Sequence, residues 1–131
     1  MSAETKPLPI IEVLNLKKRY GLIQALKGIS FSVGKGEIIG FLGPNGAGKS
    51  TTLKILSGLI PADSGEAKVC GVDLAEEGGE VRNHIGFLPE NNPLPEELRV
   101  IEYLHFRAML KGLRGSRKRD RIRIALDICD L

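Results

Sequence analysis

A glycine-rich stretch, GPNGAGKS at residues 43–50, places a lysine and a hydroxyl group directly after its last glycine. This spacing satisfies G-x-x-x-x-G-K-[ST], the pattern of a phosphate-binding P-loop. Glycines allow backbone angles that side chains disfavour, so successive N–H groups converge on phosphate oxygens. We therefore expect Lys49 to reach the β- and γ-phosphates and the Ser50 hydroxyl to ligate Mg²⁺. The alternative is a glycine turn that binds no anion.

The flanking segments fit a P-loop, which lies between a strand and a helix. Before the glycines, the short apolar run EIIGFLG at 37–43 is typical of a strand buried on both faces. From residue 50 onwards, the apolar residues follow helical spacing at Leu53, Ile55, Leu56 and Leu59. Gly58 and Pro61 then end the predicted helix.

Two more strands are predicted upstream and must support this unit. The stretch IIEVLNLKKRY at 10–20 predicts one strand, with Ile11, Val13 and Asn15 on one face and Glu12, Leu14 and Leu16 on the other. After a turn at Gly21, ALKGISFSV at 25–33 alternates more clearly, with Ile29, Phe31 and Val33 on one face. Together they predict an antiparallel hairpin.

The composition is that of one ordinary globular domain, with 131 residues and 42% hydrophobic content. A net charge of +3 is too small to demand a polyanionic partner. Cys70 and Cys129 have no metal-ligand spacing, which argues against zinc or a disulfide framework and favours a reducing, cytosolic setting. No apolar run approaches the roughly 18 to 20 residues that span a bilayer, and residues 1–9 do not resemble a signal peptide.

The surroundings of the P-loop carry a family resemblance. The run GEIIGFLGPNGAGKSTTLKILSGLIPADSGEAKVCGVDL at 36–74 resembles the start of an ATP-binding cassette (ABC) transporter ATPase subunit of the exporter type. Upstream, Tyr20 falls where the family carries an aromatic residue that stacks on adenine. Downstream, residues 84–113 are similar to the family's Q-loop and the beginning of its helical subdomain.

The resemblance implies an α/β fold, a P-loop NTPase core with an N-terminal antiparallel β subdomain and the start of a helical subdomain. Residues 1–97 would form the nucleotide-binding core, with the P-loop at 43–51, and residues 98–131 the truncated helical subdomain. The implied cofactors are ATP and Mg²⁺. The implied nucleotide-binding residues are Tyr20, Gly43, Pro44, Asn45, Gly46, Ala47, Gly48, Lys49, Ser50 and Thr51.

Two positions depart from the family pattern. Glu90 stands where the Q-loop usually holds a glutamine that contacts Mg²⁺ and the attacking water. An ionised carboxylate can ligate Mg²⁺ but cannot donate a hydrogen bond, so Glu90 is predicted as a metal ligand and, with Lys49, as a catalytic residue. The alternative is an exposed loop carboxylate. Arg99 replaces a capping threonine, and Glu96 and Glu97 are expected to compensate through the helix dipole.

The C-terminal stretch 111–131 concentrates basic residues, which is one feature of a nucleic-acid footprint. No aromatic residues interleave with them, so a solvated helix face is favoured and no nucleic-acid partner is expected. Ser116 is predicted to cap this helix, with Ile122, Ala125, Leu126 and Cys129 as its apolar face. His84 and His105 are assigned no chemistry, and the alternative for Tyr20 is packing at a sheet edge.

The family also needs an LSGGQ-like signature, an apolar strand ending in Asp-Glu and a later histidine, which this sequence lacks. The chain is therefore expected to be a fragment that binds nucleotide without hydrolysing it. The full subunit would couple MgATP hydrolysis to a membrane-spanning transporter subunit at the inner face of the cell membrane. It would form a head-to-tail dimer with a second ATP-binding subunit. The alternatives are a non-transporter ABC ATPase, a P-loop kinase and a basic nucleic-acid-binding module.

Overall fold

A computed structural model describes residues 8–131, which divide into two compact units that meet in sequence at Phe87 and Leu88. The first unit contains strands β1 (Ile11–Tyr20), β2 (Ile23–Val33), β3 (Ser64–Val69) and β4 (Val72–Asp73). It also contains helices α1 (Lys49–Leu56) and α2 (Leu74–Glu77) and a 3₁₀ turn at Glu80–Asn83. The second unit contains α3 (Val100–Leu110) and α4 (Gly115–Ile128). The predicted boundary between the nucleotide-binding core and the helical subdomain, between residues 97 and 98, lies inside this second unit and stays a prediction.

The four strands form one sheet in the order β2-β1-β3-β4. The predicted antiparallel hairpin is confirmed, because Ile11 lies opposite Val33 and Tyr20 lies opposite Ile23. On the other edge of β1, β3 is also antiparallel and places Lys17 opposite Ser64. The predicted N-terminal antiparallel subdomain is therefore built around β1 as an inner strand.

A bulge in β1 overturns part of the predicted alternation. The register of β1 against β2 shifts between Val13 and Leu16, and Asn15 has a φ of 49°. Because one extra residue reverses the faces of the side chains that follow, Val13 and Leu16 are both buried while Leu14 is exposed. The faces predicted for Asn15 and Leu16 were wrong for this reason. The Asn15 N–H donates instead to Ser30 Oγ at 2.8 Å.

Helix α1 packs on the sheet and closes the core of the first unit. Its predicted helical character is confirmed over Lys49–Leu56, and Gly58 ends it with a φ of 67°. The core consists of buried apolar side chains from the sheet, α1 and the 3₁₀ turn: Val13, Leu16, Leu26, Ile55, Leu56, Ala67, Val69 and Val81. The helix therefore holds the glycine-rich loop, which lies at its amino end, against the sheet.

The segment 37–43 is not a strand, so the prediction of a strand before the P-loop was wrong. Ile38 is 100% exposed and Leu42 is 95% exposed. A strand needs hydrogen-bonding neighbours, and within residues 8–131 no strand pairs with this segment. Phe41 packs against Phe31 in an edge-to-face contact in which the ring centroids are 5.2 Å apart, and the Glu37 carboxylate accepts a hydrogen bond from the Gly34 N–H at 2.6 Å.

In the second unit, a carboxylate that sequence reasoning missed secures the start of α3. Glu102 accepts hydrogen bonds from the Arg99 backbone N–H at 2.9 Å and from the Arg99 guanidinium at 2.9 Å. These bonds hold the pKa of Glu102 below its ordinary value. Glu102 is the third residue of the helix, where a capping box places a glutamate. The spacing from Arg99 was the signal that could have identified it.

The predicted cap of α4 was also wrong. The helix begins at Gly115, so Ser116 lies in its first turn and no side chain caps it. Arg114 already has the extended backbone of an N-cap residue, with φ −135° and ψ 163°. Of the predicted apolar face, Ile122 is buried whereas Cys129 is exposed. No helix among residues 8–131 is long and apolar enough to cross a bilayer.

Candidate functional site

The glycine-rich loop at 43–50 turns sharply into α1. Gly46 and Gly48 have φ values of 84° and 90°, a region in which side chains are strained. Between them the Ala47 N–H donates to the Pro44 carbonyl at 3.2 Å. The two glycines therefore provide the tight backbone turn that the P-loop pattern requires.

The first turn of α1 offers backbone donors to an anion. The Thr52 N–H reaches back to the Gly48 carbonyl at 2.9 Å, whereas the N–H groups of Lys49, Ser50 and Thr51 precede the first intrahelical bonds. The first turn contains no acidic residue. Unpaired donors at the positive end of a helix dipole favour a bound anion such as phosphate.

The Lys49 side chain lies over the loop. Its ammonium donates to the Gly43 carbonyl at 2.6 Å and to the Pro44 carbonyl at 2.8 Å. These contacts hold one positive charge against the glycine-rich loop that leads into α1. Hydrogen bonds between charged partners are stronger than bonds to a neutral carbonyl, so a phosphate oxygen would compete well for this ammonium.

The hydroxyl groups of this turn differ in their surroundings. Ser50 is exposed on the first turn of α1, and an oxygen at this position suits Mg²⁺, which prefers oxygen ligands. Thr51 is half-buried. Thr52, which sequence reasoning missed, is buried, and its hydroxyl donates to the Gly48 carbonyl at 2.9 Å. The remaining loop residues, Pro44, Asn45 and Ala47, are exposed.

The loop is packed directly on β2. A Cβ atom added at Gly48 would lie 2.5 Å from Leu26 Cδ2 and 2.6 Å from the Ala25 carbonyl oxygen. Tyr20, the last residue of β1, is 47% exposed and pairs with Ile23. Ile23 lies on β2, the strand that also contains Ala25 and Leu26. At about 3.3 Å per residue, only roughly 10 Å of β2 separates these two attachment points. The structure therefore brings Tyr20 and the P-loop to one end of the hairpin.

Asp63 contacts the end of β1 next to Tyr20. Its carboxylate accepts hydrogen bonds from Lys18 Nζ and from the Arg19 backbone N–H, each at 2.7 Å. The hydrogen bond from Lys18, followed by that from Arg19, holds the pKa of Asp63 below its ordinary value of 3.8. Sequence reasoning missed Asp63, because its partners lie 45 and 44 positions away in the chain.

Acid is expected to weaken the first unit through Asp63. Its pKa is lower in the folded chain than in the unfolded chain, so its contribution to stability is present above the unfolded pKa. That contribution is lost as the pH falls through the lower, folded pKa. Urea unfolding of wild type and Asp63→Asn should give a difference in stability at about pH 6 that shrinks towards about pH 3. A difference that does not change with pH would contradict this assignment.

Glu90 belongs to the second unit, where it lies at an exposed bend before α3. Its contact with Mg²⁺ stays a prediction. His84 and His105 are both exposed. Among residues 8–131, no group of three or more His, Cys, Asp or Glu side chains is arranged to hold a metal ion.

Comparisons with known sequences agree with the features of the loop. The family model described as "ABC transporter" matches residues 26–130. The probable multidrug ABC transporter ATP-binding protein YbhF of Escherichia coli (strain K12) is 42% identical over 113 residues, which cover 86% of this chain and 20% of YbhF. The linearmycin resistance ATP-binding protein LnrL of Bacillus subtilis (strain 168) is 40% identical over 122 residues, which cover 93% of this chain and 39% of LnrL.

Solved structures give the same result. An ATP-binding subunit of an ABC transporter matches with a TM-score of 0.71 and 36% identity, over 82% of this chain and 45% of that one. The dimeric, post-hydrolysis ATP-binding cassette MJ0796, bound to ADP and Pi, matches with a TM-score of 0.79 and 26% identity. That match covers 92% of this chain and 57% of the cassette. The chain thus spans less than two thirds of each of these relatives and structures.

Proposed function

Because the chain belongs to the ABC transporter family and matches part of an ATP-binding cassette, we propose that its P-loop binds the phosphates of MgATP. The observation that carries this proposal is the position of Lys49, whose ammonium lies against the Gly43 and Pro44 carbonyls of the glycine-rich loop that leads into α1. A cation and converging backbone donors are what a polyphosphate needs. In support, the structurally similar cassette MJ0796 is bound to ADP and Pi.

Each residue of the site has a proposed task. The loop glycines let the backbone approach the phosphates, the N–H groups of Lys49, Ser50 and Thr51 donate to phosphate oxygens, and the Lys49 ammonium neutralises their charge. Ser50 would hold Mg²⁺, which supplies further charge neutralisation at the phosphates. Tyr20 would stack on adenine, since its ring is half exposed at the end of the hairpin that supports the loop.

At the level of the whole protein, we propose that MgATP binding and hydrolysis drive a membrane-spanning partner. The subunit would work in a head-to-tail dimer at the cytoplasmic face of the membrane. The names of the relatives and the dimeric state of MJ0796 support this proposal. Phosphoryl transfer to water needs a positioned water as well as bound phosphates. The P-loop serves only the second of these requirements. We therefore expect the chain alone to bind nucleotide without hydrolysing it.

The phosphate-binding proposal is tested by comparing nucleotides of different length. In calorimetric titrations of the purified chain with Mg²⁺ present, ATP and ADP should bind, because both carry the β-phosphate on which the loop N–H groups converge. AMP lacks this group and loses several charge-assisted hydrogen bonds, so it should bind at least about tenfold more weakly. Equal affinities for AMP and ADP would reject a P-loop role.

Glu90 is proposed to contact Mg²⁺ in the nucleotide-bound full-length subunit. Glu90→Gln keeps the shape of the side chain but removes its charge, which a hard cation prefers in a ligand. We expect the full-length variant to bind ATP normally but to need about tenfold more Mg²⁺ for half-maximal turnover. If Glu90→Ala alters neither Mg²⁺ dependence nor turnover, Glu90 is ordinary loop surface. The control is Glu96→Gln, which removes the charge of a neighbouring exposed carboxylate.

A further inference from the structure

We propose that Asp63 is a positioning residue for base recognition. It fixes the end of β1 so that the Tyr20 ring presents one face to the base of a bound nucleotide. This inference rests on the proposed nucleotide-binding function and adds to it a residue far from the P-loop in sequence. It is carried by three hydrogen bonds, one of which is also an ion pair, and by one cation–ring contact.

The sheet by itself holds the end of β1 weakly. Strand β3 pairs with β1 only as far as Lys17, which lies opposite Ser64. On the other edge, the register against β2 shifts between Lys18 and Arg19. The last three residues of β1 therefore have one neighbouring strand and irregular pairing, and strand ends with few partners open easily.

Asp63 takes the place of the missing strand along this edge. Its backbone N–H donates to the Lys17 carbonyl at 3.0 Å. Its carboxylate oxygens accept from Lys18 Nζ and from the Arg19 backbone N–H, each at 2.7 Å. One residue thus binds three consecutive residues of β1, immediately before Tyr20. Two of these bonds involve the charged carboxylate and are stronger than ordinary ladder bonds.

Lys18 connects this contact to the Tyr20 ring. Its side chain is only 12% exposed, and its ammonium lies 5.9 Å from the centre of the ring. That distance is within the range of a cation–π contact. Because the ammonium occupies one face of the ring, the opposite face is left for stacking. Asp63 fixes the ammonium and so fixes which face of Tyr20 is available.

A role through Tyr20 has a specific signature. The base contributes to ATP binding but is absent from inorganic tripolyphosphate. Loss of positioning should therefore weaken the binding of ATP and leave the affinity for tripolyphosphate unchanged. Stacking of a base on an aromatic ring is worth about fivefold to 150-fold in affinity. If Asp63 had only a structural role, its replacement would instead disturb the loop and weaken the binding of both ligands.

The experiment is a calorimetric titration of this chain with MgATP and with magnesium tripolyphosphate. Wild type should prefer ATP by about fivefold or more. Asp63→Asn keeps the shape of the side chain, but one of the two oxygens, each of which accepts from a different donor, becomes an NH₂ group that cannot accept, so the contact made by that oxygen is lost. It should reduce the preference at least about threefold while tripolyphosphate affinity stays the same.

A matched control is available in the second unit. Glu102 likewise accepts from one backbone N–H and from one cationic side chain, both of Arg99. Glu102→Gln should therefore leave the preference for ATP unchanged. In the double variant Tyr20→Leu with Asp63→Asn, the preference should be no lower than in Tyr20→Leu alone, because both changes remove the same interaction.

Each other outcome has a defined meaning. If Asp63→Asn keeps the wild-type preference, the positioning role is wrong while nucleotide binding stands. If Asp63→Asn weakens the binding of both ligands equally, Asp63 has only a structural role and the inference is overturned. If wild type binds neither ligand, the proposed function is rejected and the positioning role with it.

Discussion

Replacing Lys49 with alanine is expected to weaken MgATP binding to this chain by roughly ten- to a hundredfold. The ammonium is held over the loop by the Gly43 and Pro44 carbonyls, at 2.6 Å and 2.8 Å, and is placed to meet a phosphate. Losing one charge-assisted contact costs about 1.5 to 3 kcal/mol, which is the origin of that range. Calorimetric titration of both proteins gives the measurement.

Two further variants make the test of Lys49 specific. Lys54→Ala removes an exposed lysine from the last turn of the same helix and should leave ATP affinity unchanged. Lys49→Arg keeps the charge but not the compact ammonium, so it should retain part of the affinity. Circular dichroism must show that each variant is folded. Equal titration curves for folded wild type and Lys49→Ala would refute the site.

Replacing Gly48 with alanine should lower the free energy of unfolding by about 2 to 5 kcal/mol. Two costs add. The residue has a φ of 90°, and its new Cβ would lie 2.5 Å from Leu26 Cδ2 and 2.6 Å from the Ala25 carbonyl oxygen. Leu26 is 1% exposed, so its side chain has little room to move. Urea unfolding followed by circular dichroism measures the loss.

Gly46→Ala provides the matched comparison. Gly46 has a similar φ of 84°, but a Cβ added there would meet nothing within 4 Å. Only the strain of the backbone remains, so the loss should be about 1 to 2 kcal/mol. The difference between the two variants isolates the packing of the loop on β2. If both variants lose the same stability, the close contact of Gly48 with β2 is not a constraint on the fold.

The parts of the fold that follow from local patterns were predictable. The alternation in residues 25–33 predicted β2, the spacing after residue 50 predicted α1, and the glycine pattern predicted a tight turn immediately before this helix. Each of these features depends on residues a few positions apart. The bulge at Asn15 was not predictable in this way, because a change of register has no signature in a simple alternation.

The features that depend on distant partners were missed. The apolar run 37–43 has the composition of a buried strand, yet a strand forms only where neighbours offer hydrogen bonds, and composition does not record them. Asp63 has no distinguishing pattern in the sequence, and only the fold brings this residue, at the bend before β3, to Lys18 and Arg19. Family resemblance supplied the candidate role of Tyr20, whereas the structure shows that the Lys18 ammonium lies over its ring.

The strand order has a consequence for how the chain acquires its binding site during folding. The β1–β2 hairpin closes over a two-residue turn and can form within about microseconds of its synthesis. Strand β3 must instead find β1 across the long connection that contains the P-loop and α1, and such non-local pairing is slow. We therefore expect a refolding or nascent chain to gain nucleotide affinity late. Until β3 has joined, proteases should cleave residues 34–63 before they attack the hairpin.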